Sequence, residues 1–130
     1  NAREANIFRA IDAILDGRTS VGINLINALL LNGADVSYVL AMLARQLRLI
    51  ILAQDLRAQG VARSDLGRRL GLNADFVVRQ TENHALRHKP ERVFAMYRRL
   101  LDADLAIKTG RLSGDLALEI LVADLGSKSG

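Results

Sequence analysis

An all-α bundle of about seven helices is the fold that this sequence predicts, and three observations carry it. Half of the 130 residues are apolar, with Leu, Ala and Arg predominant, and all three are strong helix formers. There is a single proline, Pro90, so long uninterrupted helices are permitted. Aromatic residues are scarce and Trp is absent, which argues against a β-sandwich and for layers of aliphatic helix packing.

Periodicity and punctuation then place each helix in turn. The first spans residues 3–16, with Ile7, Phe8, Ile11, Ile14 and Leu15 on one side and Gly17 at its end. Thr19 or Ser20 is a capping residue for the second, which carries Val21, Leu25, Ala28 and Leu29 at helical spacing and leaves through Asn32 and Gly33. The third and longest starts near Asp35 or Ser37 and stops at Gly60. It is apolar over more than one face, which predicts a central position. A short helix over 64–70 ends at Gly71, and Asn73 is a cap for the next, over 74–85. Pro90 suits the first position of a long helix reaching Lys108, with Val93, Phe94, Tyr97, Leu100, Leu101 and Leu105 on its stripe. Gly110 closes it, and Ser113 caps a last helix over 114–125 with Leu116, Ile120, Leu121 and Leu125 inward.

No linker, repeat or low-complexity segment divides the chain. The expected organisation is one helical domain over 1–125 and a flexible tail over 126–130. The chain starts at Asn1 without a basic-then-apolar leader, so it reads as a fragment or processed product. It has no Cys, which excludes disulfides and thiolate metal sites. The longest apolar run, 49–53, is too short to span a bilayer, and a cytoplasmic location with no membrane partner follows by elimination. The net charge of +4 is concentrated between Arg45 and Arg99, a basic block that suits phosphate or an acidic partner as well as a plain solvated face.

Catalytic constellations are not evident. His84 and His88 are four apart, but Ala85 stands where a helical zinc protease has its Glu, and Pro90 predicts that the helix ends before His88. Two exposed histidines at a helix end are the expectation. Asp102 and Asp104 do not share a helix face. Residues 67–71 lack the Lys and Ser/Thr of a phosphate loop. No catalytic, cofactor-binding or metal-ligating residue is therefore assigned.

Two segments remain. Residues 64–85, SDLGRRLGLNADFVVRQTENHA, have the outline of a helix-turn-helix, in which Arg79, Gln80, Glu82 and Asn83 would reach base edges. Phe76, Val77 and Val78 crowd the start of that second helix, where base readers need polar groups. Residues 103–125, ADLAIKTGRLSGDLALEILVADL, form a tight helical hairpin with Lys108 and Arg111 at its tip.

This hairpin, with LARQLRLIILAQDL (43–56), NIFRAIDAILDGR (6–18) and LGRRLGLNADFVVRQTENHA (66–85), resembles the C-terminal domain of the delta subunit of bacterial DNA polymerase III, over nearly the whole chain. The resemblance implies the helical collar of a clamp-loader subunit. Such collars pack side by side into a hetero-pentameric ring with the other clamp-loader subunits. The sliding clamp is met through domains absent here, and primed DNA through the whole complex. It also implies that ATP is hydrolysed elsewhere. On this reading Lys108 and Arg111 are candidates for DNA contact, and Leu116, Ile120, Leu121 and Leu125 for the subunit interface. The alternative is an independent nucleic-acid-binding domain using 64–85.

Overall fold

The computed structural model describes residues 2–125, all of whose regular elements are helices. They are α1 (Ala2–Leu15), α2 (Thr19–Leu31), α3 (Val36–Ala58), α4 (Arg63–Leu70), α5 (Asp75–Arg87), α6 (Pro90–Lys108) and α7 (Gly114–Leu125). The expected tail at 126–130 lies outside the described residues.

Glycine sets most of the boundaries. Gly17, Gly33, Gly60, Gly71 and Gly110 all have positive φ, each at or just past a helix end. At Gly71 the left-handed turn lets the Leu72 amide reach back to the Gly67 carbonyl at 2.8 Å, which closes α4. Two expected caps differ. Arg18 precedes α2, so Thr19 is already helical, and Ala74 rather than Asn73 precedes α5, because the Gly71–Leu72 turn delays entry until Asp75.

α3 is the axis of the bundle and touches α1, α4, α5, α6 and α7. The run at 49–53 understates this helix, which as a whole is long and apolar enough to cross a membrane. Its Val39, Leu43, Leu47 and Ile50 are instead buried among those five neighbours, as in the core helix of a bundle. α1 buries the stripe expected of it, Ile7, Phe8, Ile11, Ile14 and Leu15.

Three helices bury only part of the stripe expected of each, Leu29 on α2, Val93 and Leu100 on α6, and Leu121 and Leu125 on α7. α2 buries Gly22, Ile26 and Leu29, spaced i, i+4, i+7, and leaves Val21 and Ala28 outside. Gly22 explains the rotation, since a Cβ there would sit 2.7 Å from Cγ1 of Ile14. The two helices therefore meet along a groove that only glycine leaves open. α6 buries Val93, Met96 and Leu100, and its Phe94, Leu101 and Leu105 stand in solvent. α7 buries Ala117, Leu118, Leu121, Val122 and Leu125, whereas Leu116 and Ile120 point outward. Each of these helices carries two overlapping apolar stripes, and the neighbours select one.

α5 is seated differently. Its buried residues are Thr81, Glu82, His84 and Ala85, with no large aliphatic side chain among them. Polar contacts hold it instead. Gln46 Nε2 of α3 donates to Thr81 Oγ1 at 3.2 Å, and Gln54 Nε2 donates to the carbonyls of Ala85 and His88 at 3.3 and 2.9 Å. Toward α1, Gln80 donates to the Phe8 carbonyl at 3.3 Å and Arg87 pairs with Asp16.

Candidate interaction surface

The α6–α7 hairpin is shaped by Gly110. Its positive φ allows the Arg111 amide to bond the Ala106 carbonyl at 2.9 Å and the Gly110 amide to bond Ile107, so the last carbonyls of α6 are satisfied in a reversing turn. Thr109 Oγ1 donates to the Leu105 carbonyl at 2.7 Å, and Arg111 Nε donates to Thr109 Oγ1 at 3.3 Å. On the far side Ser113 Oγ accepts from the Leu116 amide at 3.3 Å, and so starts α7.

The two cations at this tip are not equivalent. Lys108 Nζ lies 2.7 Å from Asp104 Oδ2, one turn back on its own helix. Arg111 has no carboxylate partner among the described residues, and it lines a groove of about 380 Å³ between α6 and α7, together with Arg99, Asp102 and Ile120. Arg99 Nη1 in turn donates to the Asp124 carbonyl at 3.2 Å, which ties the two helices together.

The four apolar candidates on α7 separate cleanly. Leu116 and Ile120 are 46% and 43% exposed, and with Ala123 they form an outward row at i, i+4, i+7. Leu121 and Leu125 are 2% and 3% exposed, inside the chain's own core. The reason is helical phase. Leu121 and Leu125 fall with Leu118 and Val122 on the face turned to the bundle, nearly half a turn from Leu116 and Ile120. Leu121 and Leu125 are thus not available to a partner.

A second apolar row, absent from the sequence reading as a surface, lies on α6. Phe94, Leu101 and Leu105 are 55%, 48% and 52% exposed at spacing i, i+7, i+11. Patterns in which both stripes of a helix are apolar were the only signal for it.

The helix-turn-helix outline is present as a turn, but two of its four expected base readers are engaged within the chain. α4 and α5 approach so closely that a Cβ on Gly67 would lie 3.0 Å from Val78 Cγ2. Of the four residues that would read bases, Gln80 turns inward to Phe8, and Glu82 is buried and pairs with Arg63 at 2.6 Å. Only Arg79 and Asn83 are exposed, in a row with exposed Phe76 and Leu86. Phe76 packs edge-on against Phe8 of α1, with centroids 5.9 Å apart.

His84 is not at the surface expected of it. It is 1% exposed rather than a surface residue, and its Nε2 lies 2.7 Å from Asp12 Oδ1 of α1. α5 packs chiefly on α3, and the buried imidazole reaches α1 through Asp12. His88 follows α5 and is half-buried, 6.2 Å from His84 between ring centroids. Burial, then the positive charge of Arg92, then His84 and Arg87 hold its pKa below the usual histidine value, and Asp16 opposes them. Among the described residues no three His, Cys, Asp or Glu side chains gather as metal ligands would.

Comparison with known proteins adds to this geometry. The family model described as DNA polymerase III delta subunit, C-terminal domain, matches residues 4–125. No curated protein matches the chain. Among solved structures, the Bacillus subtilis DNA clamp loader delta protein (YqeN) superposes with a TM-score of 0.85 at 23% identity. The match covers 95% of this chain and 36% of that one, and it establishes a shared fold.

Proposed function

Because this chain belongs to the family of C-terminal domains of the DNA polymerase III delta subunit, we propose that it serves as the collar of a clamp-loader subunit, through contacts made by its outward apolar rows. The domain occupies residues 1–125. It holds neighbouring clamp-loader subunits in a hetero-pentameric ring in the cytoplasm, while other parts of the chain meet the sliding clamp and other subunits hydrolyse ATP. A domain that only holds its neighbours needs no reaction centre. It needs a rigid body with unsatisfied apolar surface.

The observation that carries this reading is the pair of separate outward rows, Leu116–Ile120–Ala123 on α7 and Phe94–Leu101–Leu105 on α6. A ring of different subunits is built from heterologous contacts, so each member must offer two unlike faces rather than one self-complementary patch. Fixing subunits side by side also raises their effective concentration for one another. Arg111 at the hairpin tip, with no carboxylate partner among the described residues, is the candidate for contact with primed DNA passing the ring, and Lys108 is secondary because Asp104 engages it.

The test uses the full-length subunit with its clamp-loader partners. Leu116→Glu with Ile120→Glu should leave the far-ultraviolet circular dichroism of the subunit unchanged, because both positions are exposed, and should abolish co-elution with the partner ring. Assembly at the unmodified level refutes the reading. Arg111→Glu should lower primed-DNA affinity of the assembled complex without affecting assembly.

A further inference from the structure

The helices that carry the two outward apolar rows differ in their own charge, although Arg99 and Arg111 also stand beside the α7 row. α7 carries Asp115, Glu119 and Asp124 and no Lys or Arg. The α6 row runs Phe94, Arg98, Leu101, Leu105, with Lys108 one turn beyond. Beside it lies an exposed row of α3 that includes Arg48 and Leu52. The helices run in opposite directions, since Gln54 in the second half of α3 bonds the His88 carbonyl at the entrance to α6, and Val36 at its start lies against Gly114 after α6 has ended. Arg48 Nη1 donates to Tyr97 Oη at 3.3 Å, which stitches the rows into one face.

Neither Arg48 nor Arg98 has a carboxylate partner among the described residues. Of the acidic groups on α3 and α6, Asp102 stands exposed one turn from Arg98 without pairing with it, and the other three are otherwise placed. Asp104 pairs with Lys108, Asp55 accepts from Gln59 at 2.9 Å, and Glu91 sits in the first turn of α6, where the helix amides favour it. What remains is an apolar strip of Leu52, Phe94, Leu101 and Leu105 edged by guanidinium groups that have no carboxylate partner among the described residues.

We infer that the α3–α6 face docks an acidic amphipathic helix of a neighbouring protein, with apolar residues at i, i+4, i+7 and carboxylates beside them, the pattern of this chain's own α7. The apolar row would bury against the strip, as helix-in-groove recognition requires. The carboxylates would meet Arg48 and Arg98, and these charges select the partner more than they add affinity. A basic amphipathic helix of equal hydrophobicity is rejected by the same two residues. The inference rests on the reading of this chain as an interaction module only in supposing that neighbours present such helices.

The experiment measures binding to the isotopically labelled chain by nuclear magnetic resonance, with a synthetic peptide of residues 113–125 as the probe. A second peptide carries D115K, E119K and D124K. The acidic peptide should shift resonances along Ala41–Leu52 and Phe94–Leu105, and the lysine peptide should bind at least about tenfold more weakly, the size expected of close charge pairs. R48E/R98E should reverse that preference; R98E alone should reduce it. The preference should also shrink in high salt. Equal binding of the two peptides, shifts confined to other faces, or no binding at millimolar peptide each overturns the inference. Because the peptide assay involves no ring, its failure leaves the assembly test of Leu116 and Ile120 standing, and the converse also holds.

Discussion

Gly22 is the position where the packing of the bundle can be challenged most directly. A Cβ on residue 22 would lie 2.7 Å from Ile14 Cγ1, about 1 Å inside ordinary carbon–carbon contact. Ile14 is 1% exposed and branched at Cβ, so it cannot swing away. α2 must then lift from α1 and loosen Ile26 and Leu29. Overpacking of this kind costs about 1–3 kcal/mol. Alanine returns about 0.8–1 kcal/mol of helix propensity. Taking the middle of the first range, Gly22→Ala should destabilise by about 1 kcal/mol, a fall of roughly 3–6 °C in Tm for a domain of this length. The sign should invert when the obstruction is removed. Ile14→Ala alone costs about 2–5 kcal/mol by opening a cavity. In that background Gly22→Ala gains propensity and fills space, so it should stabilise by about 1 kcal/mol, which is a coupling of about 2 kcal/mol. Urea denaturation followed by circular dichroism measures all four proteins. A Gly22→Ala that is neutral or stabilising in the native background, or a cycle that is additive within about 0.5 kcal/mol, refutes the close-approach argument.

Two further predictions concern α5. Gln46→Leu strips Thr81 Oγ1 of its partner at a site 0% exposed, which should cost about 1–3 kcal/mol, whereas Gln46→Leu with Thr81→Val should recover most of that loss in the same urea assay. The lowered pKa of His88 means that the unfolded chain binds its proton first as pH falls. Stability from this group is therefore present above about 6.5, the unfolded value, and is lost as pH drops from there toward the folded pKa. The difference in urea midpoint between pH 7.5 and 5.5 should be smaller in His88→Gln than in the unmodified chain, and an equal or larger difference contradicts the assignment.

Helix number and most helix ends were legible because they are local properties. A glycine with positive φ ends a helix whatever surrounds it, and Pro90 can start one at any place in a fold. Helix faces were less legible. On α2, α6 and α7 the apolar residues outnumber those one stripe can hold, so Val21, Phe94 and Leu116 were as eligible for the core as Gly22, Met96 and Leu118. Selection among them comes from neighbours distant in sequence, such as Ile14 against Gly22. The candidate surface inherited that ambiguity. Arg111, Leu116 and Ile120 are exposed as an interface requires, and Leu121 and Leu125 are in the core. The buried polar contacts had one overlooked signal. Gln46 and Gln54 stand eight apart on the broad apolar side of α3, beside Leu47, Ile50 and Ala53, and a polar pair in such a place implies a polar partner across the interface.

The polar seating of α5 bears on how a chain this rich in Leu and Ala arrives at one arrangement. Aliphatic surfaces are nearly interchangeable, and sliding one helix along another by a turn replaces leucine contacts with alternatives of similar worth. Hydrogen bonds do not slide. Gln46 meets Thr81, and Gln54 meets the Ala85 and His88 carbonyls, at intervals that match in only one register. A one-turn slip would strand Gln46 and Thr81 without partners in the interior, at about 1–3 kcal/mol for each group. These glutamines contribute little net cohesion, but they make the competing alignments costly. The uniqueness of the native arrangement on this side of α3 thus resides in a few directional contacts, and an all-aliphatic α5 would be expected to dock as an ensemble of alignments.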